Sequence, residues 1–186
     1  MREPRLYGKN RPVVDAAIKE VVAGRPKRAL AIVKQAQSAR QLDDGMVLLT
    51  ANIMDTVGDH DGAETLYRRL VRRTSGNIAA LIDLGDALRR KGRAASARIF
   101  YKRALKSLRE RRQTGELFVE AVGGMASVEM NLGKHERALK VIAEGLHECP
   151  WSGELLGTFG AYQQEYLRKG GGGARQAERR GRKRDV

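Results

Sequence analysis

The sequence has little of what most chemistries need. Four prolines, and no long alternating runs of Val, Ile or Thr, leave strands without support, so an all-α fold is expected. One cysteine, Cys149, excludes an intramolecular disulfide and any zinc site built from several cysteines. No apolar run approaches the ~20 residues that span a bilayer. The opening MREPRLYGKN is charged rather than apolar, so no signal peptide is read and the cytoplasm is the default compartment. No Gly-rich loop ends in Lys-Ser or Lys-Thr, which leaves nucleotide binding unsupported. His60 and His135 fall at equivalent places in separate segments, and His147 and Cys149 at i and i+2 point to different helix faces, so no metal site is expected. No nucleophile–base pair or paired carboxylates stand out; no catalytic residue, cofactor or enzyme activity is assigned.

What the chain does have is positive charge and regularly placed small residues. The net charge is +14, of which residues 1–9 carry +2 and residues 170–186 carry +4, so that +8 belongs to residues 10–169. In LIDLGDALRRKGRAASARIFYKRAL, residues 81–105, Leu81, Leu84, Gly85 and Leu88 share one helix face. Gly92 supplies a break, and Ala97, Tyr101 and Ala104 then form a second face, broadened by Ile99, Phe100 and Leu105. The stretch reads as a helical hairpin whose halves meet at small residues.

The same pattern recurs along the chain. At a step of 34 residues towards the N-terminus, Ala51, Gly58, Ala63 and Tyr67 fall in the slots of Gly85, Gly92, Ala97 and Tyr101, and another 34 back Ala17, Gly24, Ala29 and Val33 do so. Forward the step is 41, to Ala126, Gly133, Ala138 and Ile142, after a seven-residue insertion around RRQTGEL. Seven residues equal two helical turns, so the apolar face is expected to keep its phase.

A helix-turn-helix unit repeating every 34 residues with these residues resembles the tetratricopeptide repeat. Leu81 stands in its Trp slot, Leu84-Gly85 in its Leu-Gly pair, Leu88 in its Tyr slot, Tyr101 in its aromatic slot and Pro150 in its closing Pro, while Glu20 and Glu129 replace the Tyr. The resemblance implies a right-handed superhelical stack, an α-solenoid. Its expected parts are an extension over 1–9, repeats over 10–43, 44–77, 78–111 and 119–152, a solvating helix over 153–169, and a Gly-rich basic tail over 170–186.

In proteins that look like this one, the first helix of each repeat lines a concave groove that takes peptide segments. Facing away from the buried stripes are Arg11, Asp15, Ile18 and Val22; Gly45, Leu49, Asn52 and Thr56; Ala79, Asp83, Asp86 and Arg90; Glu120, Gly124, Ser127 and Asn131; and Glu154, Thr158, Ala161 and Glu165. The partner-binding set drawn from them is Asp15, Leu49, Asn52, Asp83, Asp86, Arg90, Glu120, Ser127, Asn131 and Thr158. Six of the twenty positions are acidic and two basic, which predicts a mildly acidic groove. The second helices are expected to hold Arg68, Arg69, Arg72, Arg73, Lys102, Arg103, Lys106, Arg109, Arg111 and Arg112, a basic outer face. The family's clamp for an acidic C-terminus is not matched, because Val14, Ile18, Leu49, Ala79 and Asp83 stand in its places.

The array points to a scaffold that holds an extended or helical protein segment, with self-association as a further use. The second reading is a nucleic-acid-associated protein that contacts phosphates through the outer arginines and the tail residues Arg175, Arg179, Arg180, Arg182, Lys183 and Arg184. A membrane surface, drawn to the polybasic tail, is the weakest of the three.

Overall fold

The computed structural model describes residues 10–39, 43–74 and 76–169. The 1–9 extension and the basic tail with Arg175 to Arg184 lie outside the described residues. Among the described residues there are α-helices and no strand: α1 (Arg11–Val22), α2 (Pro26–Ala39), α3 (Asp44–Thr56), α4 (His60–Arg73), α5 (Ile78–Arg90), α6 (Ala94–Glu110), α7 (Glu116–Asn131), α8 (His135–Glu148) and α9 (Gly153–Arg168).

The helix ends follow from the sequence. Asp43, Asp59, Asn77 and Ser152 each cap a helix by accepting the amide of the residue three positions on, at 2.8 to 3.3 Å. Helices α1, α3, α5 and α7 stop at a glycine in the left-handed region: Gly24, Gly58, Gly92 and Gly133 all have φ between 71° and 89°. After three of these glycines the next amide turns back to a carbonyl one turn inside the helix: Arg25 to Glu20, Asp59 to Met54, and Lys134 to Glu129, at 2.8 to 2.9 Å. The 34, 34 and 41 spacing of the glycines is therefore the spacing of one recurring turn.

The chain divides into two compact units, residues 1–92 and 93–186. In the first, α1 pairs with α2 and α3 with α4, and α5 packs on α3 and α4. Val14, Ala17, Ala29, Val33, Met46 and Ile53 form a core at its N-terminal end, and Tyr67 and Leu70 of α4 are fully buried further along. In the second unit α7 packs on α6, α8 and α9. Phe118, Ala121, Val122 and Ala126 of α7 are buried, as are Ala138 and Ile142 of α8. Helix approach here depends on missing side chains. A Cβ on Gly124 would lie 2.3 Å from the Tyr101 ring, and one on Gly145 would lie 2.6 Å from Val122 Cγ1.

The seven-residue insertion is divided between two helices. Helix α6 has 17 residues and α7 has 16, against 14 in α4 and 13 in α5, so each gains about one turn. The remaining residue lengthens the loop, where Arg112 takes φ 52°. Both helices can grow because they run antiparallel and end at the same edge. Ile99 does not broaden the buried stripe of α6, since it is 59% exposed on the outer side.

Candidate functional site

In the first unit the exposed faces of α1, α3 and α5 carry the expected partner-binding residues. Helices α3 and α5 are in contact, so Leu49 and Asn52 of one and Asp83, Asp86 and Arg90 of the other belong to one surface. Leu49, Asp83 and Asp86 are half-buried, while Asn52 and Arg90 are exposed. The Tyr67 hydroxyl, reaching out from α4, donates to Asn52 Oδ1 at 2.6 Å. This orients the amide and leaves its Nδ2 as the outward donor. Burial, reinforced by the carboxylates of Asp83 and Asp55, pushes the Tyr67 phenol far above its ordinary range, so it stays a neutral donor.

The charges of this surface come in pairs. Asp86 accepts from Arg89 at 3.0 Å, and Asp15 lies 3.9 Å from Arg11 on α1. Asp55 joins two elements, meeting His60 Nδ1 at 2.7 Å and the guanidinium of Arg90. The acidic excess counted along the sequence is thus offset locally by arginines. Gly45 is buried in the first turn of α3 and contributes nothing to the face.

In the second unit the corresponding faces belong to α7 and α9. Ser127 and Tyr162 join them through a 2.9 Å hydroxyl–hydroxyl bond. Glu120 and Asn131 are exposed, whereas Thr158 is half-buried with its hydroxyl on the Glu154 carbonyl. Gly124 is half-buried against Tyr101 and serves packing. Glu165 pairs with Lys169 at 2.6 Å, a contact that holds its carboxyl below the usual range.

Spacing alone could have shown three residues absent from the sequence-derived set. Asp55 lies three positions after Asn52 and shares its side of the helix, as Arg89 does after Asp86 and Tyr162 four after Thr158. No such signal marks the Tyr67 hydroxyl, because its slot is a core slot and only the fold shows which way the oxygen points. Among the aromatics near the arginines of the second helices, Tyr67 and Tyr101 are buried, and Phe100 lies beneath Arg103 at 5.9 Å. His135 Nδ1 contacts Met130 Sδ at 3.3 Å. Among the described residues no three metal-ligating side chains converge, and no helix is long and apolar enough to cross a membrane.

The profile of the tetratricopeptide repeat matches residues 48–116. No curated protein matches the chain. Among solved structures, a tetratricopeptide repeat protein from Parabacteroides merdae is similar with a TM-score of 0.69 at 17% identity, over 85% of this chain and 58% of that one. MamA 41-end from Desulfovibrio magneticus RS-1 gives a TM-score of 0.67 at 13% identity, over 87% of this chain and 86% of that one. The MamA RS-1 ArsTM double mutant gives 0.66 at 13% identity, over 87% and 85%. With the helix order described above, these likenesses identify the fold as an all-α helical repeat solenoid.

Proposed function

Because the chain is a tetratricopeptide repeat protein, we propose that it is a non-enzymatic scaffold that holds an extended or helical protein segment against the exposed faces of its first helices. The observation that carries this reading is the shared surface of α3 and α5. Leu49, Asn52, Asp83, Asp86 and Arg90 stand side by side there, and the Tyr67 hydroxyl fixes the Asn52 amide from beneath at 2.6 Å. An oriented amide donor beside alternating carboxylates and guanidiniums suits the carbonyl, amide and charged groups of a peptide. Glu120, Ser127, Asn131 and Thr158 offer a second, more neutral face. Cys149 is a buried free thiol, which fits a reducing compartment such as the cytoplasm.

The test is the double variant Asp83→Arg with Asp86→Arg, used as bait with and without nuclease. Loss of the captured protein with unchanged helical circular dichroism is expected. Undiminished capture by the folded variant overturns the assignment of this face. The basic second helices support a second reading, contact with nucleic acid phosphates through exposed Arg69, Arg72, Lys102, Arg103 and Lys106. Capture that vanishes only with nuclease selects it.

A further inference from the structure

Helix α9 exposes a face that its counterparts bury. Leu156, Phe159, Gly160 and Gln163 occupy the slots of Val47, Thr50, Ala51 and Met54 in α3, of Leu81, Leu84, Gly85 and Leu88 in α5, and of Val122, Met125, Ala126 and Glu129 in α7. Those slots are buried in α3, α5 and α7, apart from the half-buried Met54. On α9, Leu156 is 53% exposed and Leu167, three turns on, is 59% exposed; Trp151, just before the helix, is 75% exposed. Only Leu155 is buried, on the side that meets α7 and α8.

The glycines of α9 also lack an internal reason. A Cβ on Gly124 or Gly145 would collide with a neighbour, whereas one on Gly157 or Gly160 would meet nothing within 4 Å. Glycine weakens a helix interior, and here no intramolecular contact requires it. The protein's own tail is no cover for this face, since residues 174–186 offer only Ala174, Ala177 and Val186 as apolar side chains.

We propose that this face is a dimerisation surface, occupied by α9 of a second copy running antiparallel. The stripe Leu156, Gly160, Gln163 and Leu167 has spacings of 4, 3 and 4 residues, which read the same in both directions. A two-fold axis across its middle sets each Leu156 against the partner copy's Leu167, and each Gly160 against its Gln163. The gap at Gly160 takes the longer Gln163 side chain and lets the axes approach. Positions 154, 158, 161 and 165 are on the opposite side of α9, so dimerisation leaves the proposed peptide-binding face open.

One helix face per partner is a small interface, below the ~1,200 Å² of a standard complex, so a dissociation constant of roughly 10 to 100 µM is expected. Sedimentation equilibrium of the full chain from about 1 to 300 µM should show a reversible monomer–dimer equilibrium. Leu156→Glu with Leu167→Glu should weaken it at least tenfold, with circular dichroism unchanged because both side chains are exposed. Mixing Leu156→Cys and Leu167→Cys chains under oxidation should give the mixed disulfide ahead of either homodimer. A chain that stays monomeric throughout, a double glutamate variant that dimerises like the parent, or a predominance of homodisulfides each overturns the proposal.

Discussion

In the first unit, ion pairs tie turns together at the surface; in the second, one is buried in the packing. The contrast is clearest at one repeat slot. Glu20, near the end of α1, bonds the side chain of Arg25 three residues past the helix, at 2.7 and 3.1 Å, with the guanidinium in water. Glu129 takes the same slot in α7 and is 2% exposed. Arg98 of α6 meets one of its oxygens at 2.6 Å, and the other, Oε2, is buried without a hydrogen-bond partner. The slot leaves the residue's fate open. In the second unit α6 packs on α7 and Glu129 is shut off from water, so the carboxylate depends on a single cation.

Removing that cation should therefore have the largest effect of any substitution considered. Arg98→Ala leaves a buried charge uncompensated and should cost about 3 kcal/mol, since the Arg98 side of the pair remains partly open to water. Glu129→Leu installs the residue that α5 carries in this slot, and should be neutral or stabilising. Combined with Arg98→Ala it should recover most of the loss. Urea denaturation of the two single variants and the double closes the cycle. Additive losses would mean that the pair is not what holds Glu129 in place. Arg25→Ala, at the equivalent pair in the first unit, should move stability by well under 1 kcal/mol.

Glycine sharpens the comparison within the second unit. Gly124→Ala drives a methyl into a Tyr101 ring that is fully buried and cannot step aside, at a cost of about 1 to 3 kcal/mol. Gly157→Ala on α9 enters open space and should stabilise the monomer by up to about 1 kcal/mol. Opposite signs in thermal unfolding at low protein concentration are the expected result. Equal signs would place the two helices in equivalent surroundings.

The repeat was legible in the sequence because its signals are steric and local. A glycine with positive φ closes α1, α3, α5 and α7, and small residues mark close approach, so Gly24, Gly58, Gly92 and Gly133 give the register without any long-range information. The division of the insertion between two helices was not legible, since seven residues keep phase wherever they are placed. Nor was the pairing of charges on the first helices. A helical wheel puts Asp86 on the outer face, but Arg89 folding back onto it is a choice of rotamer. Exposure of the α9 stripe depends on the absence of a covering helix among the described residues, which periodicity alone cannot register.

The charge network around Glu64 in the first unit carries a pH signature. Lys91 Nζ meets Asp61 and Glu64 at 2.6 Å each, and Arg68 meets Glu64 at 2.7 Å. The hydrogen bond from Lys91, seconded by Arg68, holds the Glu64 carboxyl below its ordinary value despite partial burial. Asp61, then Glu64, raises Lys91. A carboxyl depressed in the folded state stabilises fully above its unfolded value, about 4.3, and that contribution fades as pH falls through the lower folded value. An ammonium raised in the folded state stabilises fully below its unfolded value, about 10.4, and loses this as pH climbs through the higher folded one. Between those limits the network should be flat with pH. Glu64→Gln keeps the shape and removes the charge, so it should cost about 1 kcal/mol at pH 7, with the difference from the parent shrinking as pH falls below about 4.3 and through the lower folded value. Asp61→Asn should do less, because that carboxylate is almost wholly in water. Urea midpoints at pH 7, 4 and 3 for parent and variants provide the check. A Glu64→Gln deficit that persists unchanged into acid would trace the loss to packing rather than to charge.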